Sequence, residues 1–349
     1  MIQTYSSTIR RKEMDAVLTC MVDEKIGPGD MALKLTQTVK EFFGVDGAVA
    51  LRSPAIALKY VLTAIDLPKE SGVMISALAP AWQYQAVVDL GYKPIILDVS
   101  VDTALVTVDS VEEGIRQGGR LLIVTESFGT IPDMEALIAL GIPVIEDVSQ
   151  SIGAYKEIPQ ESGEPVQKKA GTYGLFSIMG LEERDLITGG GGAILMAPSR
   201  REWIVLKRLA EEAPSTDLLP DLNSSLAYVQ LKEFPRNDVV RQDLFTAFQK
   251  SLMSSRHKTF MRIQDGKSAV YSFPVVLNSG YKDVRQYASK KGIEIQYAFE
   301  GSVAYILQDT LEGCINAKSL LLRCAVFPLY PRLGTTQASS IMKVLGTLP

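Results

Sequence analysis

The chain holds little of what several function classes require. Its 349 residues include one histidine, three cysteines and two tryptophans. A single histidine, His257, confines any imidazole-dependent chemistry to one position. Cys20, Cys314 and Cys324 show no metal-ligand or redox spacing, so no metal site is expected. An odd number of thiols in a long chain fits reduced cysteines rather than a disulfide framework. Neither sign of charge dominates: the formal net charge is −4, and acids and bases are spread along the chain. That excludes the basic patch nucleic acid would call for. No uninterrupted apolar run approaches the ~18 residues needed to span a bilayer. Met1-Ile-Gln-Thr-Tyr-Ser-Ser7 lacks the basic end and apolar core of a signal peptide. These absences predict a soluble, cytoplasmic protein with neither nucleic acid nor membrane as partner.

What is present is an ordinary globular composition, 46% apolar and 22% charged, in a length that fits about two domains of ~150 residues. Gly27-Pro-Gly-Asp30 breaks the chain, with Asp30 as expected N-cap. Met31, Leu35, Val39, Phe42 and Phe43 then recur at one-face helical spacing, closed by Gly44. Ser53-Pro54 opens a second helix, serine capping and proline standing at the first helical position. Pro94–Asp98, Leu121–Thr125 and Pro143–Asp147 read as buried strands, with a capped helix from Asp133 to Gly141 between the last two. Near-continuous apolar strands separated by helices predict an α/β fold with a mainly parallel, doubly wound sheet. The polar stretch Lys156–Gly171 reads as an exposed loop. After about Pro235 the style changes: a linker helix, strand-like 269–277, a helix near 283–290, strand-like 293–297 and a last helix after Thr336. This predicts a large domain over 1–235 and a smaller α+β domain over 236–349.

Val144-Ile-Glu-Asp-Val-Ser-Gln-Ser-Ile-Gly-Ala154 resembles the Glu-Asp-x-x-Gln-x-x-Gly-Ala motif of the DegT/DnrJ/StrS-type sugar aminotransferases, which use pyridoxal phosphate (PLP). Gly44–Ala50, Gly91–Asp98, Phe128–Met134, Gln230-Leu231, Lys291–Ile293 and Phe327–Pro331 resemble the family in the same order. The resemblance implies PLP-dependent fold type I, a dimer with its sites at the subunit interface, and keto-sugars carried on nucleotides as substrates. Asp147 matches the residue that pairs with the pyridine nitrogen and keeps the ring an electron sink. Gln150 matches a contact to the ring hydroxyl, and Ser177 a phosphate ligand.

The departures from the family are chemical. Ser53-Pro54-Ala55 stands where Ser-Gly-Thr is usual, so Pro54 removes one of the N–H groups through which a helix start binds phosphate; Ser53 keeps its hydroxyl. Between Phe176-Ser177 and Thr188-Gly189 no lysine occurs. Counting from either end places Glu182 or Arg184 at the Schiff-base position, and the spacing is two residues longer than usual. Arginine stays protonated and cannot form the aldimine or shuttle its proton. Gly190 replaces a glutamate. Some relatives dehydrate sugars with histidine at the lysine position, but His257 lies far away in sequence. Pro80 stands at the ring-stacking position, Trp82 reads as packing or subunit interface, and Glu126 lies at a strand end without an evident partner.

The sequence therefore predicts a protein with no catalytic lysine, holding PLP non-covalently if at all. It would bind a nucleotide-linked sugar, or pair as a homodimer or with a competent relative. Two other readings stand beside this one: an active aminotransferase recruiting Lys168, Lys169 or a partner's lysine, and a purely structural or interaction protein.

Overall fold

Strands covered by helices on both faces bury both sets of side chains, which is why the apolar runs collect into one large sheet. The computed structural model describes residues 1–159, 163–308 and 310–349. Helices α1 (Arg11–Val22) and α2 (Asp30–Phe43) precede β1 (Gly47–Leu51) and α3 (Pro54–Ile65). Three strand–helix units follow: β2 (Gly72–Ser76) with α4 (Ala81–Asp89), β3 (Lys93–Leu97) with α5 (Val108–Arg116), and β4 (Gly119–Thr125) with α6 (Met134–Ala139). Next come β5 (Val144–Asp147), the pair β6 (Tyr155–Ile158) and β7 (Val166–Lys169), then β8 (Phe176–Gly180), β9 (Ala193–Ala197) and α7 (Arg200–Glu211).

The large sheet has seven strands in the order β1-β9-β8-β5-β4-β2-β3. Every pairing from β3 across to β8 is parallel, and β9 runs antiparallel between β8 and β1. One face buries Met74, Leu122, Val124 and Met179 under residues of α2, and the other buries Ile75, Leu121, Ile123 and Ile178 under α3 and α4. Because β4, β5 and β8 run the same way, Thr125, Asp147 and Gly180 end along one edge, where open α/β sheets place ligands.

Helix α8 (Asp221–Leu252) is a single helix of 32 residues with Pro235 inside it. Beyond it lie β10 (Gly266–Lys267), β11 (Phe273–Val276), α9 (Tyr281–Lys290) and β12 (Gln296–Tyr297). Helices α10 (Val303–Ile306) and α11 (Ile315–Arg323), strand β13 (Cys324–Phe327) and α12 (Thr335–Leu345) finish the chain. The small sheet is antiparallel, in the order β11-β13-β12. The N-terminus joins this part: Ile2 bridges Ile293, and the Thr4 N–H donates to Glu294 at 3.1 Å.

Two expectations need correction. Lys156–Gly171 is not an exposed loop: β6 and β7 pair from Tyr155–Lys169 to Ile158–Val166, and β10 adds a third strand. Residues 160–162 of that stretch lie outside the described ones. Its strands are short and mostly polar, so they carry little alternating apolar pattern to read. Nor does Asp30 cap α2. It is the first helical residue, and the Ala32 N–H is taken by Asp221 of α8 at 2.9 Å. Among the described residues, no helix is long and apolar enough to cross a membrane.

Candidate functional site

Asp147 ends β5 and is 3% exposed. Its Oδ2 accepts a hydrogen bond from Gln83 Nε2 at 2.8 Å, and its Oδ1 accepts from the Ser149 N–H at 3.1 Å and the Ser149 hydroxyl at 2.5 Å. Gln83, from α4, also donates to the Thr125 hydroxyl at 3.0 Å. Both carboxylate oxygens are therefore engaged by the chain itself. Burial pushes the Asp147 carboxyl above its usual range, and the bonds from Ser149 and Gln83 pull it back.

The loop after β8 turns on a close approach. Gly180 N–H donates to the Ser149 hydroxyl at 2.8 Å, and a Cβ at Gly180 would lie 2.3 Å from Asp185 Oδ2 and push that carboxyl aside. Glu182, Glu183 and Arg184 are exposed. Arg184 turns away, its guanidinium 4.8 Å from the centre of the Tyr5 ring and 3.3 Å from Gln296 Oε1. Asp185 turns inward instead and accepts the Glu182 N–H at 2.8 Å. Burial, aided by the negative charges of Asp147 and Glu182, pushes its carboxyl up to about 8.

The remaining candidates are dispersed. Ser53 accepts the Ile56 N–H at 3.2 Å as the cap of α3, with Pro54 behind it. The Ser177 hydroxyl is fully buried and donates to the Gly171 carbonyl at 2.9 Å. Gln150 Oε1 accepts the Phe128 N–H at 2.9 Å. Lys168 sits 4.2 Å above the Tyr173 ring, and Lys169 donates to the Phe42 carbonyl at 2.5 Å. His257 lies beyond α8, bonded at 3.1 Å to the Pro349 carbonyl through Nε2 and at 3.1 Å to the Asn278 N–H through Nδ1.

Of these, Asp147, Gln150 and Glu182 meet at one cavity of 210 Å³, together with Pro54, Pro80 and Trp82. Thr125, Glu126, Ser149, Asp185 and Tyr271 complete its wall. Ser53, Ser177, Arg184, Lys168 and Lys169 do not line it. Glu126 is wholly buried, with its carboxyl set against Glu146 and Ser151. Burial and the neighbouring Glu146 push its carboxyl well up. Glu146 accepts three backbone N–H groups, from Gly171 at 2.9 Å, Tyr173 at 2.8 Å and Gly174 at 2.6 Å, so the proton of the pair belongs on Glu126.

These residues do not fit PLP. Among the described residues no lysine lines the cavity to carry an aldimine. A phosphate would meet Pro54, which has no N–H, and a helix start whose Ile56 N–H is already taken by the Ser53 hydroxyl. Sequence reasoning missed Gln83, Ser149, Tyr271 and the inward turn of Asp185. Asp185 was visible only as part of a charge run, and Gln83 carried no local signal at all.

Comparison with known proteins agrees with this architecture. The chain superposes on an aminotransferase from Streptoalloteichus hindustanus with a TM-score of 0.87, at 17% identity over 99% of this chain and 98% of that one. It superposes on the E. coli GDP-4-keto-6-deoxy-D-mannose-3-dehydratase with bound hydrated PLP at a TM-score of 0.85 and 16% identity, covering 99% of each chain. Such likeness shows a shared fold, that of PLP-dependent fold type I. Over 186 residues the chain is 26% identical to the UDP-4-amino-4-deoxy-L-arabinose–oxoglutarate aminotransferase of Shewanella sediminis, spanning 52% of this chain and 46% of that protein. The match thus spans under half the length of that curated relative. Residues 7–346 match the DegT/DnrJ/EryC1/StrS aminotransferase family, and the chain belongs to it.

Proposed function

We propose that this protein keeps the sugar-aminotransferase fold but does not transaminate, and that it serves by binding a nucleotide-linked sugar or a related subunit. One observation carries the reading: the cavity beside Asp147 is lined by four carboxylic acids and, among the described residues, by no lysine. The loop that bears the Schiff-base lysine in relatives offers Asp185 to the cavity instead, and a carboxyl group cannot condense with an aldehyde. Lys168 and Lys169, the nearest alternatives in sequence, are held at Tyr173 and Phe42. The ligand class is argued from relatives whose names specify UDP- and GDP-linked sugars. A cytoplasmic dimer, with itself or with a competent family member, is part of the same proposal.

The test is to titrate the purified protein with PLP, follow absorbance, reduce with borohydride and map any labelled peptide. The expected result is no aldimine band and no cofactor retained after desalting. An aldimine that traps on one lysine, or amino transfer to a keto-sugar nucleotide, overturns the proposal.

A further inference from the structure

We propose that a second pocket, of 490 Å³ along the N-terminal strap of residues 3–9, binds the phosphate of a phosphate-bearing ligand through the guanidinium groups of Arg184 and Arg332. The pocket shares no lining residue with the cavity beside Asp147, so the proposal stands whether or not PLP is held there.

The strap fixes where the two arginines stand. Ile2 bridges Ile293 and the Thr4 N–H donates to Glu294, which ties the start of the chain to the segment before β12. Residues 5–9 then run past the loop after β8. There the Ser7 hydroxyl donates to the Glu183 carbonyl at 3.2 Å, and Gln230 of α8 donates to the Ser7 carbonyl at 3.4 Å. Arg184, carried outward by that loop, lays its guanidinium on the Tyr5 ring and gives one bond, to Gln296 Oε1. Arg332 reaches the far end of the strap and gives one bond, to the Ile9 carbonyl at 2.9 Å. A guanidinium has five N–H donors, so each keeps most of them for a ligand.

Charge then selects the ligand. Among the described residues neither guanidinium joins an ion pair. Two acids share the wall, and neither meets an arginine. Glu294 spends one carboxyl oxygen on the Thr4 N–H and the other on the Gln296 amide at 3.5 Å, while Glu183 is exposed. A cation therefore finds its acceptors engaged or in water, whereas an anion finds two unpaired forks. The Ser6 hydroxyl accepts the Thr8 N–H at 3.3 Å and still has its own proton to give. Planar N–H forks match phosphate oxygens two at a time. A phosphate ester carries nearly two charges near neutral pH and three acceptor oxygens. It can engage both arginines at once, where the two oxygens of a carboxylate are filled by one.

Protons act on the ligand rather than on the wall. Arginine stays charged over the whole working range, and burial pushes the Tyr5 hydroxyl up to about 12, so the ring remains a neutral platform. A phosphate monoester loses its second charge below its second pKa of about 6, and its binding should weaken there.

Calorimetry on the full chain tests this, with glucose 1-phosphate, inorganic pyrophosphate and neutral glucose as probes. At least one of the two phosphates is expected to bind, and glucose is not. Binding of glucose 1-phosphate should weaken severalfold from about pH 7.5 to about pH 5. Arg184→Gln and Arg332→Gln are each expected to weaken binding about tenfold. Both side chains are exposed, so the variants keep the fold. Arg201→Gln, at an exposed arginine of α7 outside the pocket, is the control and should leave affinity unchanged. Binding of glucose 1-phosphate alone supports the site and assigns it a monoester; binding of pyrophosphate alone supports it and assigns a diphosphate. No binding of either up to about 10 mM, equal binding of glucose, or an equal loss from Arg201→Gln overturns the proposal.

Discussion

Gln83 shows how much of this site rests on single side chains. It is fully buried on α4, and its amide joins the Asp147 carboxylate to the Thr125 hydroxyl. In a dry interior the cost of such a bond lies less in making it than in leaving its partners unmade. Gln83→Leu keeps the volume and removes the donor. It is expected to lower stability by about 1–3 kcal/mol, read in urea as a lower midpoint with an unchanged slope. An unchanged midpoint would mean that water or Ser149 alone satisfies Asp147. The same dependence explains why the residue was invisible in the sequence. Gln83 lies 64 residues from Asp147, and nothing in its own helix marks it. Asp147 itself was legible because it sits in a dense motif at a strand end. Asp185 was legible only as charge, because the turn that aims it inward depends on Gly180 and Ser149.

The start of α3 shows the competing demands on one element. Ser53 and Pro54 form a good helix beginning, with the hydroxyl at 3.2 Å from the Ile56 N–H and proline fixing the first φ angle. That same arrangement is a poor anion site, since Pro54 has no N–H and the Ile56 N–H is spent on the Ser53 oxygen. Pro54→Gly returns the N–H but loosens the unfolded chain, and is expected to cost about 1 kcal/mol, measured as a lower melting temperature. It should not restore PLP binding, because Ser53 stays engaged and the acidic wall remains; a retained cofactor would show that the helix start alone had been limiting. Elements of this kind were read correctly because their signals are local. Gly44, with φ of +77°, closes α2, and Asp133 takes the Ala136 N–H at 3.2 Å to open α6. The β6–β7 pair is not legible because its short strands mix Tyr155, Ile158 and Val166 with charged residues, and its third strand, β10, comes from far along the chain. There a Cβ on Gly266 would lie 2.2 Å from the Tyr155 carbonyl.

At the scale of the whole molecule, the site has a pH signature opposite to the usual acid lability of paired carboxylates. Glu126, Asp147 and Asp185 all have carboxyl groups raised by burial in the folded state. Below the pKa of the unfolded chain both states hold these protons, and the groups cost nothing. As pH rises, the unfolded chain releases them first, and the folded state is penalised until its own groups ionise. For Asp185 that window runs from 3.8 to about 8. Asp185→Asn removes one of these groups while keeping its shape, so the variant should gain stability relative to the parent as pH rises across the window. Urea midpoints measured for both proteins near the two ends of that range test this directly, since the other titrating groups are common to the pair and cancel. Parallel pH profiles would mean that Asp185 is already ionised in the folded protein. Its carboxylate would then need a counter-charge that the cavity wall, as built, does not contain.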